Sequence, residues 1–115
     1  MVLGRFYFKQ TANGNLLGEF SNTGMQVNRT ESADITSRFN LPFIGTYRST
    51  WFEQNEQSLD LEIQYKIDSN NRIYTLIWSN NGAITFVGEG FVVDSILIGD
   101  YRDDELNLFI RNHSI

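Results

Sequence analysis

From Ser58 to Ile67 apolar and polar residues alternate without a miss. Leu59, Leu61, Ile63, Tyr65 and Ile67 fall on one side, and Asp60, Glu62, Gln64 and Lys66 on the other. A helix would scatter those five apolar residues around its circumference, whereas an extended chain sets them on one face. The segment therefore predicts a half-buried antiparallel strand. The same rhythm predicts strands at 2–10, 15–21, 43–52, 72–79, 83–93, 96–102 and 106–111, which with 58–67 makes eight. Between them lie the turn residues that short links require: Ala12-Asn13-Gly14, Ser69-Asn70-Asn71, Asn80-Asn81-Gly82, Val93-Asp94-Ser95 and Asp103-Asp104-Glu105, while Glu53 to Gln57 closes the strand that Pro42 opens.

Links this short make successive strands antiparallel neighbours. The expected architecture is all-β: a single antiparallel up-and-down barrel of about eight strands, in one domain over 1–115, with a β-sandwich as the alternative. One segment breaks the rhythm. Residues 28–40 are polar without a sustained period, and two readings stay open: a loop forming a lid or rim, or an edge strand with a ragged loop.

Composition agrees with strands and narrows function. Apolar residues are 41%, aromatics 14%, and there is a single proline among 115 residues, enough for a core and rich in strand formers. Cysteine is absent, which removes disulfides, thiolate nucleophiles and cysteine-ligated metals. The formal charge of −5 repels phosphate backbones and anionic lipid, so neither nucleic acid nor a membrane is an expected partner. The first residues carry no basic stretch followed by an apolar run, and the expected location is cytoplasmic.

Three segments repeat a pattern of two apolar residues, glycine, a polar residue and a ring: Leu16-Leu17-Gly18-Glu19-Phe20, Phe43-Ile44-Gly45-Thr46-Tyr47 and Leu97-Ile98-Gly99-Asp100-Tyr101. Glycine inside a strand is costly unless tight curvature or a neighbouring ring needs the space. These segments resemble the Leu-x-Gly-x-Tyr strands of avidin-type barrels. Gly4-Arg5-Phe6 with Arg111 is similar to the lipocalin pairing of Gly-x-Trp with a closing arginine, although Phe6 stands where the tryptophan would be. The resemblance is to the calycins, and it implies a small meander barrel able to hold a ligand. The tryptophan-rich biotin site of avidins has no counterpart, since Trp51 and Trp78 are the two tryptophans.

Side chains for catalysis are scarce. The one histidine, His113, is the third residue from the end, and no nucleophile elbow or phosphate loop occurs. Asp100, Asp103, Asp104 and Glu105 lack the spacing of a calcium loop and read as a solvated turn. No catalytic residue, metal or cofactor is assigned. Glu89 is the carboxylate to mark, because Val87, Phe91 and Val93 share its face; an enzyme using it is the third reading, and cross-strand pairing with Arg48 or Arg102 the plainer one.

The leading reading is a non-catalytic barrel that binds a small, partly apolar molecule. With the glycine-bearing face inward, the expected ligand-binding set is Phe20, Asn22, Tyr47, Ser49, Trp51, Tyr65, Trp78 and Tyr101, around a cavity of several hundred Å³. The alternative is an interaction or self-assembly module with a solid core. Leu17, Ile44, Ile96, Ile98 and Phe109 would then form its outer apolar patch, and a homo-oligomer would result.

Overall fold

A computed structural model describes residues 2–38 and 40–103. Eight strands run in order: β1 (Leu3–Gln10), β2 (Leu16–Asn22), β3 (Arg29–Arg38), β4 (Gly45–Glu53), β5 (Asn55–Tyr65), β6 (Tyr74–Asn80), β7 (Ala83–Val93) and β8 (Ile96–Asp103). Each pairs antiparallel with the next, and β1 pairs with β8, so the sheet closes on itself as an up-and-down barrel. Closure leaves no unpaired edge. A barrel, not a sandwich, is the fold.

The turns follow from their residues. Asn81 and Gly82 both take positive φ, and so do Asp94 and Ser95, the backbone that a two-residue hairpin link needs to match strand twist. The link from β4 to β5 is tighter than its polar composition implies. Pairing continues to Glu53↔Asn55 and the chain reverses at Gln54, whose φ is 63°.

The largest correction concerns residues 28–40. The structure makes 29–38 a full strand, β3, paired on both sides, with a register shift between Ile35 and Ser37. It is neither lid nor sheet edge. Its inward positions are Glu31, Ala33 and Ile35, and a carboxylate and a methyl at two of the three hide the apolar face that marks other strands. The count of eight is reached with β3. The expected strand 106–111, with Phe109 and Arg111, and also His113, lie outside the described residues.

Rings and branched side chains fill the interior. Phe6, Phe8, Leu16, Tyr47, Leu61, Ile63, Leu76, Trp78 and Leu97 are all buried in one cluster. Two glycines show why curvature needed them. A Cβ on Gly4 would sit 2.3 Å from the Tyr101 ring, and one on Gly88 would sit 3.1 Å from the Tyr101 Cβ. Both glycines are direct cross-strand partners of Tyr101, on β1 and β7 respectively. Gly4 thus leaves room for the inward ring, while Gly88 lets β7 lie close to the β8 backbone, where a Cβ would be 2.4 Å from the Asp100 carbonyl oxygen. Among the described residues no helix is long and apolar enough to cross a membrane.

Candidate functional site

The register divides the interior into two ends. At one end lie the turns after β2, β4 and β6, with the start of β1 and the end of β8; at the other lie the turns after β1, β3, β5 and β7. The expected binding residues are split between them.

At the first end a cavity of about 70 Å³ is lined by Phe20, Trp51, Trp78, Phe86 and Tyr101, with Leu59 completing the apolar wall. Asn22, Glu31 and Glu53 supply its polar groups. The rings meet edge to face: Phe20 with Trp51 at 6.0 Å between centroids, Phe20 with Tyr101 at 6.5 Å, and Phe86 with Tyr101 at 5.5 Å. This is the preferred geometry for aromatic pairs and holds each ring in place. Asn22 Nδ2 donates to the Tyr101 hydroxyl at 2.9 Å, tying β2 to β8 beside the opening. The volume corrects the expected several hundred Å³. Aromatic side chains occupy most of the bore, and the remaining space fits a small head group, not a drug-sized molecule.

Glu31 is the polar centre of this end. It is only 5% exposed, and its Oε2 accepts hydrogen bonds from the Ser49 hydroxyl and from Trp78 Nε1, the latter at 3.0 Å. Burial pushes its carboxyl from 4.5 up to about 7, against the pull of those two donors. No ion pair reaches it among the described residues, whose salt bridges join Arg29 to Glu53, Arg48 to Asp60 and Lys66 to Glu89. Tyr101 is also raised, first by burial, with the Asn22 donor opposing and the charges of Glu31 and Glu53 reinforcing.

Of the eight residues expected to bind a ligand, the structure brings Phe20, Asn22, Trp51, Trp78 and Tyr101 together around the cavity. Ser49 stands behind its floor through Glu31. Tyr47 and Tyr65 belong to the other end. The Tyr47 hydroxyl donates to the Phe43 carbonyl at 2.7 Å and accepts from Gln10 Nε2 at 3.1 Å, and burial pushes its pKa up to about 12. Tyr65 packs on Tyr74, 5.1 Å between centroids. Their inward direction follows from period two, but position along the barrel axis depends on strand stagger, which no single strand reveals.

Compared with protein-family models, curated proteins and solved structures, the chain matches none. The likeness to calycins is therefore one of architecture, a closed eight-stranded meander.

Two further expectations are corrected. Glu89 points outward, its side chain 41% exposed, and pairs at 2.8 Å with Lys66, not with Arg48 or Arg102. Of the apolar neighbours on its face, Phe91 and Val93 are exposed, whereas Val87 is buried. Ile44 packs against the core and so leaves the proposed outer patch. Sequence reasoning missed Glu31, Glu53, Leu59 and Phe86 as cavity residues. Period two alone does carry Glu31, since it alternates inward with Ala33 and Ile35, but an inward acid contradicts the apolar pattern used to find strands. Among the described residues no group of three or more His, Asp or Glu is placed to hold a metal ion.

Proposed function

We propose that the protein is a non-catalytic binding barrel that takes a small molecule, or the small head of a larger one, at the aromatic end. The observation that carries this reading is a buried carboxylate, Glu31, beside an unfilled space walled by Phe20, Trp51, Trp78, Phe86 and Tyr101. A core optimised for packing alone would close such a space, because unfilled volume forfeits contacts and a buried carboxyl is costly. Rings supply apolar contact, and Glu31 and Asn22 supply orientation, the mix found in small-ligand sites.

Both tryptophans line the cavity, so emission is the direct readout. Titration with a panel of small amines, alcohols and carboxylic acids is expected to shift it. Leu59→Phe, which fills the space, is expected to abolish the shift, while Tyr47→Phe at the opposite end leaves it intact. A panel that never moves the emission, or a response that survives Leu59→Phe, overturns the reading.

A second reading, self-association of the barrel, is favoured by one observation on the outer wall. Tyr7, Ile98 and Phe91 are cross-strand neighbours on β1, β8 and β7, and all three are exposed. Such a row fits a face shared between two copies of the chain. Sedimentation at increasing concentration tests it, with Ile98→Lys expected to return any dimer to monomer.

A further inference from the structure

The cavity lining is asymmetric in charge. Glu31 and Glu53 both contribute to it, and among the described residues no lysine, arginine or histidine does. Arg29 stands near Glu53, at 4.0 Å, and donates to the Phe52 carbonyl at 3.2 Å, outside the lining. Glu53 thus has a basic neighbour; Glu31, deeper and almost wholly buried, has hydrogen-bond donors and no ion pair among the described residues.

Three ligand charges can be weighed against that arrangement. An anion meets two carboxylates in a poorly hydrated space and is repelled. A neutral apolar group covers Glu31 and, above about pH 7, leaves its charge buried without a counterion, a costly state. A cation neutralises Glu31 and also faces the electron-rich rings of Trp51, Phe20 and Tyr101, which attract positive charge when water is excluded. The two hydrogen bonds from Ser49 and Trp78 both land on Oε2, and they anchor that oxygen before any ligand arrives.

Resting on the binding reading above, we infer that the cavity is a site for a small organic cation, the protonated head of an amine, seated against Glu31 and enclosed by Phe20, Trp51 and Tyr101. A volume of about 70 Å³ limits the enclosed part to an ammonium with a few carbons. A larger amine would leave its tail outside the opening.

The test uses three probes of nearly one shape: tert-butylammonium, tert-butanol and pivalate, titrated near pH 8 while the indole N–H resonances of Trp51 and Trp78 are followed by NMR. The ammonium is expected to bind at least about tenfold more tightly than the alcohol, a preference of the size expected from a desolvated charge pair with ring contacts. Pivalate is expected to leave the resonances unmoved. Glu31→Gln is expected to shrink the preference below about threefold while the alcohol binds as before. Wild-type protein gives an independent check should that variant fold poorly. Near pH 5.5 Glu31 is protonated and the preference should fall, Glu53 and Tyr101 being the other titratable groups on the lining. Equal or tighter binding of tert-butanol overturns the cation assignment and leaves a neutral binding cavity. Failure of all three probes to move either indole removes the binding reading itself, and the assignment with it.

Discussion

The indole N–H of Trp78 on β6 donates to the carboxylate of Glu31 on β3 across 3.0 Å, joining two strands that are not neighbours through the inside of the barrel. The same carboxylate oxygen receives the Ser49 hydroxyl from β4. A bond of this kind stitches opposite walls together, and it does so with an acid whose charged form the interior opposes.

That opposition gives a pH dependence with a definite sign. The native carboxyl keeps its proton up to about pH 7, whereas its ordinary value is 4.5. Between those values the folded state binds more protons than the unfolded one, so this group makes stability fall as pH rises through the window. The full effect is on the order of 3 kcal/mol. Glu31→Gln retains acceptors for Ser49 and Trp78 without a titration. Its denaturant stability is expected to match wild type near pH 4 and to exceed it by about 1–3 kcal/mol near pH 8. Parallel stability curves for the two proteins would show that Glu31 does not titrate in this range.

Glycine positions divide by what surrounds them. A Cβ on Gly18 would lie 1.8 Å from the Tyr7 carbonyl oxygen, a backbone atom that cannot move aside alone, whereas one on Gly24 first meets Asn22 Oδ1 at 3.4 Å. Gly18→Ala is expected to cost about 2–3 kcal/mol and Gly24→Ala less than about 0.5 kcal/mol, read by urea denaturation. Equal costs would contradict the close approach of β1 and β2 at Gly18.

At the end opposite the cavity, Gln10 and Tyr47 hold Phe43, whose φ is 67°. Gln10 Oε1 accepts from the Phe43 N–H at 2.7 Å, and the Tyr47 hydroxyl donates to its carbonyl. Tyr47→Phe strands a carbonyl and should lower stability by about 1–3 kcal/mol. Because the two ends are separate, ligand-induced changes in tryptophan emission should be unaltered in that variant.

The Lys66–Glu89 pair is half in water, with side chains 48% and 41% exposed. Glu89→Gln is expected to cost less than about 1 kcal/mol, and raising salt should reduce even that difference. A loss of several kcal/mol would mean that Glu89 has a structural role its exposure does not explain.

Alternation over 58–67, together with turn residues such as Asn81-Gly82, carried enough information to predict an antiparallel up-and-down barrel. Yet 15–21 and 43–52, expected as neighbours, are separated by β3, and the expected strand 106–111 lies outside the described residues. The hydrophobic pattern is local, and local geometry decides strand against helix. What stayed hidden was β3, since Glu31 and Ala33 occupy inward positions that elsewhere hold branched or aromatic residues. The direction of Phe20, Tyr47 and Tyr101 was legible for the same local reason. Their separation into two ends was not.

The chain's own order of residues thus determined which side chains turn inward and that the strands meander. Only the closed tertiary structure decided which inward residues share a layer, because the stagger between neighbouring strands sets height along the axis. Closure also brought Glu31 against Trp78 from across the bore, and by excluding water there it gave that carboxyl its altered chemistry. Burial is a property of the surrounding walls, so no reading of the residues flanking Glu31 could contain it.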